Sequence, residues 1–313
     1  MSSETVVSAE PATAAYPGGR PATTVASLTG ASAGQSQLRR NLRRFLIGNK
    51  LNLIGLIIVI LFFVLAIFGQ VFAPYSPYAQ DITGSKLLAP SLSHPMGTDE
   101  LGRDLLSRLI YGGRMSLFMG FMPVALATLI GGTLGIVAGY CGGAINMAIM
   151  RITDVFYAFP SVLLAVAISG VLGAGLVNSL VSLTLVFTPP IARVAESVTT
   201  QIRNQDYVEA ARATGASGWR IVFGHVLSNV TGPILIYASS MISVSIVIAS
   251  GLSFLGLGVS PPHAEWGLML NTLRQSIYVA PLNAILPGVM IFVTSMSMNL
   301  ISDSLRASMD VKV

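Results

Sequence analysis

Residues 51–72 read Leu51-Asn-Leu-Ile-Gly-Leu-Ile-Ile-Val-Ile60-Leu-Phe-Phe-Val-Leu-Ala-Ile-Phe-Gly-Gln70-Val-Phe72, with Asn52 and Gln70 as the strongly polar interruptions. About 20 apolar residues in a helix span the hydrocarbon layer of a bilayer. A cleaved secretory signal carries a shorter apolar stretch, roughly 7–15 residues. The run is therefore expected to be an uncleaved membrane anchor. Arg39, Arg40, Arg43, Arg44 and Lys50 stand directly before it. Positive residues stay on the cytoplasmic side of a first helix, which places the N-terminus inside.

The rest of the chain follows the same pattern. Of 313 residues, 53% are hydrophobic and 10% charged; an ordinary soluble domain carries about 25% charged residues. Further apolar runs fall at Ser116–Tyr140, Val155–Leu172, Val177–Ala195, Pro233–Leu255 and Ala284–Ile301, making about six spans. The expected fold class is all-α, a polytopic bundle of membrane helices. Alternation puts both termini in the cytoplasm, with Arg151, Arg203, Arg212, Arg220, Arg306 and Lys312 on that side. Lys86, Arg103, Arg108, Arg114 and Arg274 fall outside, where Asp81, Asp99, Glu100 and Asp104 balance those of the 74–115 segment. The net charge of +5 is thus accounted for by topogenic residues, and no basic soluble domain is present to bind nucleic acid.

The organisation reads as a tail (1–37), a basic segment and first anchor (38–73), an external segment (74–115) and a core (116–313). The tail is rich in Ala, Ser, Thr, Gly and Pro. It lacks the apolar side chains needed to offset ordering entropy, so it is expected to be disordered. In the external segment, Thr98 can cap a helix with Asp99 and Glu100 in its first turn. Leu101, Leu105 and Leu109 then share one face of an amphipathic elbow. Trp266, near His263 and Glu265, is expected to anchor at the membrane interface, and Arg193 to pair with Glu196. Cys141 is the one cysteine, and the three histidines, His94, His225 and His263, are far apart, a poor basis for a metal site. Prolines recur within the spans, and Gly131-Gly132-Thr133-Leu134-Gly135 permits close helix approach. Charged residues lie near span ends rather than mid-span, which argues that energy enters from outside the membrane domain.

The longest polar interval is 196–228. Its centre reads Tyr207-Val-Glu-Ala-Ala-Arg-Ala-Thr-Gly215-Ala-Ser-Gly-Trp-Arg220. Alanine and glutamate favour a helix over Asp206–Thr214, with Asp206 and Glu209 at its positive end and Gly215 as its stop. An alanine face can enter a groove that would exclude larger side chains.

Glu209-Ala210-Ala211, followed three residues later by Gly215, resembles the cytoplasmic EAA loop of importer-type ATP-binding-cassette permeases. That family's pattern continues to a Leu-Pro, where this chain has Leu227-Ser228. His94-Pro-Met-Gly-Thr98-Asp-Glu-Leu-Gly-Arg-Asp104, Phe254-Leu-Gly-Leu-Gly258, Glu265-Trp-Gly-Leu-Met269 and Asp303-Ser-Leu-Arg306 are similar to the C-type subunit of dipeptide and oligopeptide importers. The similarity covers roughly 40–310. It implies an inner-membrane permease that works with a homologous second permease, two ATP-binding subunits and an external peptide-binding protein. It also implies that Asp206, Glu209, Ala210, Ala211 and Gly215 form the ATPase-coupling element. No G-x-x-x-x-G-K-[ST] loop is present in this chain. ATP and magnesium are therefore expected in the partner subunits, with no catalytic residue, cofactor or metal here. The same architecture importing nickel or haem, and a self-sufficient carrier or channel, remain as alternatives.

Overall fold

The computed structural model describes residues 50–81 and 84–309. The expected tail, Arg39, Arg40, Arg43, Arg44 and Lys312 lie outside these residues. Among the described residues the architecture is all helical, with one isolated backbone bridge between Thr98 and Asp104. In chain order the helices are α1 (Lys50–Phe72), α2 (Leu105–Cys141), α3 (Gly143–Tyr157), α4 (Ser161–Leu172), α5 (Leu176–Arg203), α6 (Asp206–Ala213) and α7 (Gly218–Ile221). A π turn (Val222–Val226) leads into α8 (Leu227–Phe254), and α9 (Trp266–Leu273), a 3-10 turn (Arg274–Tyr278) and α10 (Pro281–Met309) complete the order.

Five helical segments are long and apolar enough to cross a membrane: α1, α2, α5, the rod from α7 through α8, and α10. The sixth expected span differs. Instead of one helix over Val155–Leu172, α3 and α4 meet at an angle of 88°. Pro160 is the cause: it lacks an amide donor and disfavours helical geometry at Phe159.

α2 is the hub, packing most extensively on α5 and also on α8 and α1, while α10 bridges α1 and α8. The α2–α5 contact rests on a stripe of glycines. A Cβ at Gly131, Gly135 or Gly139 would collide with the backbone oxygens of Thr188, Ala192 and Glu196 respectively. Residues four apart share a face, so the two backbones approach along two full turns. Hydroxyls and amides join the other helices: Asn52 Nδ2 donates to Ser304 Oγ at 3.0 Å and Ser243 Oγ to Asn299 Oδ1 at 2.9 Å. Such bonds link helices where apolar burial gives little driving force. Large apolar side chains, among them Ile57, Ile67, Leu129 and Val177, point outward.

The 74–115 segment departs from the expected elbow. Thr98 caps no helix; its hydroxyl donates to the Ser85 carbonyl and accepts from the Leu88 amide. Asp104 is the N-cap of α2, accepting from the Ser107 amide at 2.8 Å. α2 then runs unbroken from Leu105, because Leu105 and Leu109 are buried in the bundle rather than laid on a surface. Ahead of it, Asp99 Oδ2 accepts from Arg103 Nε at 2.6 Å and pairs with Arg108 at 3.5 Å, and Asp104 Oδ1 stands 3.0 Å from His94 Nδ1.

Trp266 is buried, not interfacial. Its indole Nε1 donates to the Leu109 carbonyl at 2.9 Å, and Gly112 and Gly113 leave room for the ring. Glu265 is also buried, as the N-cap of α9. Its carboxylate accepts from the Gly267 and Leu268 amides at 2.9 and 2.7 Å.

Candidate functional site

Helix α6 is eight residues long and is separated from the end of α5 by two residues. Alone it would be too short to persist; tertiary packing holds it. Val208 is fully buried in the core cluster that also holds Ile221, Val226 and Val230, and α6 packs on α7 and on α5.

With Val208 turned inward, helical periodicity sets the outward face. Asp206, Glu209, Ala210 and Ala213 recur at i, i+3, i+4 and i+7, and all are exposed. Asp206 and Glu209 occupy the first turn, where a negative charge complements the helix dipole. The centre of the face is alanine, giving a shallow surface with an acidic edge. Ala211 lies on the other side, half-buried against the core. The structure thus groups Asp206, Glu209 and Ala210 on one surface and gives Ala211 a packing position.

Gly215 ends the helix with φ +81°. The Ala216 amide donates to the Ala211 carbonyl at 3.1 Å and the Gly215 amide to the Arg212 carbonyl at 3.0 Å. This paired pattern is the Schellman cap, which needs one left-handed residue. It satisfies carbonyls otherwise orphaned at the helix end and turns the chain into α7. From there the helix continues through the π turn into α8, so Leu227-Ser228 lies in an unbroken rod.

The polar interval is shorter than expected, since 196–203 belongs to α5. Those residues hold the site to the bundle. Arg203 Nη1 donates to the Tyr140 and Gly139 carbonyls at 3.1 and 3.3 Å, closing the C-terminal end of α2. Glu196 accepts from Asn146 Nδ2 at 2.7 Å and from Thr200. Arg193 therefore does not pair with Glu196; it meets Asp154 of α3 at 2.5 Å, because α3 lies directly across from it.

One feature of this end was not singled out from the sequence. Trp219 and Phe223, four residues apart, stack with ring centroids 5.6 Å apart and stand 75% and 62% exposed. An aromatic pair with so little cover belongs to the surface rather than the core. Its sequence signal is the i, i+4 aromatic spacing just after Gly218. Tyr207 completes the surface, its hydroxyl accepting from Asn229 Nδ2 at 3.4 Å. Among the described residues, no cluster of three His, Cys, Asp or Glu side chains is placed to hold a metal ion.

Known proteins share this chain's pattern over most of its length. Residues 131–313 match the family of binding-protein-dependent transport system inner membrane components, and residues 36–90 match the N-terminal transmembrane domain of oligopeptide transport permease C. A dipeptide transport system permease of Alkalihalophilus pseudofirmus is 41% identical over 85% of this chain and 87% of its own length. A glutathione transport system permease of Pectobacterium atrosepticum is 40% identical over 87% and 90%. In a solved structure of the MetNI methionine ABC transporter in inward-facing conformations, one chain matches with a TM-score of 0.53 and 19% identity. That match covers 65% of this chain and 97% of the other, a likeness of fold alone. The helical bundle, the short helix ended by Gly215 and this agreement over nearly the whole chain converge: the protein belongs to the family of binding-protein-dependent transport system inner membrane components, as a membrane-spanning permease subunit of an ATP-binding-cassette importer.

Proposed function

We propose that this chain is one permease of a peptide importer in the cytoplasmic membrane, with both termini and α6 on the cytoplasmic side. Its partners are a homologous second permease, two ATP-binding subunits and an external peptide-binding protein. The outward face of α6 carries the reading: Asp206 and Glu209 beside Ala210 and Ala213, on a helix seated by Val208 and ended by Gly215. The named dipeptide and glutathione relatives support a short-peptide cargo.

In this reading the face of α6 enters a cleft on an ATPase subunit. Its alanines allow close approach, Glu209 meets a donor in the cleft, and Trp219 with Phe223 covers the rim. ATP-driven closure of the two ATPases moves α6. Arg203 and Glu196 pass the motion to α2 and α3, and the bundle opens first to one side and then to the other. ATP and magnesium act in the partner chains. Nothing in this chain makes or breaks a covalent bond; it transmits force and lines a path.

The test is uptake of a labelled dipeptide into proteoliposomes holding the assembled importer. ATP-dependent uptake that requires this chain, its partners and the binding protein supports the reading. Uptake by this chain alone, without ATP, overturns it in favour of a self-sufficient carrier.

A further inference from the structure

Outside the coupling element, one charged group stands out on a membrane helix. Arg193 lies near the C-terminal end of the apolar run 177–195 of α5, about 25 Å along the axis from Leu176 at 1.5 Å per residue. Its guanidinium meets Asp154 Oδ1 at 2.5 Å and lies over the Tyr157 ring, 4.5 Å from the centroid. The pair is nonetheless open, with side chains 45% and 38% exposed. An ion pair facing hydrocarbon is costly, so a half-exposed pair on a membrane helix faces water or a protein interface.

The surroundings favour a path with a ligand. A cavity of about 290 Å³, lined by Phe156, Tyr157, Phe159, Pro190 and Met241, shares Tyr157 with the pair. That is near the lower end for ligand cavities and suits one side chain rather than a whole large molecule. It lies against the 88° bend between α3 and α4, so any change in that bend would alter its mouth. Arginine carries five N–H donors in a planar fork, and the Asp154 contact occupies one edge. The other donors can take a carboxylate in two parallel bonds.

Building on the peptide-import reading, we propose that Arg193 is a substrate site on the transport path and binds the terminal carboxylate of a passing peptide. Asp154 holds the guanidinium in position and keeps its charge paired between transport events. The aromatic cavity beside Tyr157 takes the side chain next to that carboxylate. Because Asp154 competes for the same guanidinium, the carboxylate is held weakly enough to leave.

The experiment compares uptake of a labelled dipeptide and of its C-terminal amide by the complete importer in proteoliposomes. The external binding protein has its own preference, but that preference cancels when the acid-to-amide ratio is compared between variants. Arg193→Gln is expected to lower the ratio at least about tenfold, since a charge-assisted bidentate contact is lost. Arg193→Lys, which keeps the charge but not the fork, is expected to fall between the two. Asp154→Asn should keep the ratio at the wild-type value or above it. An unchanged ratio in Arg193→Gln, with both peptides slowed equally, overturns the proposal and leaves a structural brace. If Arg193→Gln fails to assemble, a wild-type ratio in assembled Arg193→Lys overturns it as well. A fall in Asp154→Asn equal to that in Arg193→Gln also assigns the pair to structure and overturns it. Should the wild-type importer take up neither peptide with ATP, the import reading itself fails, an outcome distinct from a ratio that does not move.

Discussion

The Ser116 hydroxyl of α2 donates to the Glu265 carboxylate at 3.0 Å, joining residues 149 positions apart. The same Ser116 oxygen accepts from the Trp266 amide at 3.0 Å, so the start of α9 is clamped onto α2. Burial pushes the Glu265 carboxyl above the ordinary carboxylate range, while hydrogen bonds from the Gly267 and Leu268 amides and from serine hydroxyls oppose that shift.

That shift gives a signed prediction. The folded state holds the Glu265 proton more tightly than the unfolded state, so stability is fully present below the ordinary carboxylate range. It declines as pH rises from there through the raised value. Glu265→Gln, which retains a side-chain acceptor, should lack this decline. Thermal unfolding of the detergent-solubilised protein across that window would check it; an identical slope in both proteins would contradict it.

The glycine stripe predicts a steric effect. Gly135→Leu places side-chain atoms where the Ala192 oxygen and Ala195 lie. Overpacking of this kind costs about 1–3 kcal/mol or more. Leu134→Ala, one residue away on an exposed face, should change stability by no more than about 0.5 kcal/mol. Melting temperatures of the two variants should separate accordingly.

Coupling should fail without loss of insertion when the end of α6 is altered. At φ +81°, Gly215→Val forces a β-branched residue into a left-handed conformation, a strain of roughly 1–2 kcal/mol or more. Glu209→Lys reverses the charge on the outward face. Each variant should reach the membrane normally yet lose peptide uptake, and the ATPase chains should co-purify less well. Normal uptake by the double variant would remove the role assigned to this helix.

Trp219 and Phe223 predict a contact that the helix alone does not. Trp219→Ala should weaken ATPase capture by more than about 1 kcal/mol, in the range of an interface hot spot. It should leave the fold intact, because the ring is exposed. Co-purification under rising salt would measure it, and wild-type capture would place docking elsewhere.

Orientation can be read with cysteines in a Cys141→Ser background. Lys86→Cys and His263→Cys should react with an impermeant thiol reagent added outside intact cells. Glu209→Cys should react only after lysis. All three positions are exposed, so reactivity reports sidedness rather than burial.

Much of this protein was legible without its tertiary structure. Apolar run length selects lipid as solvent, and five of the expected spans correspond to continuous helices. The helix at Asp206 and the turn at Gly215 were legible because propensity, the helix dipole and a left-handed stop act within a few residues of one another. What failed were expectations that needed to know which helix lies opposite. Arg193 had Glu196 within reach on its own helix, but α3 brings Asp154 closer from 39 residues away. Leu101, Leu105 and Leu109 were spaced for a surface elbow, yet α2 buries Leu105 and Leu109. Trp266 carries an interfacial residue type, but Gly112 and Gly113 open a slot that only the folded bundle assembles. Sequence pattern sets local geometry and the choice of solvent; the partner of each side chain depends on how distant helices meet, and only the tertiary structure decided that.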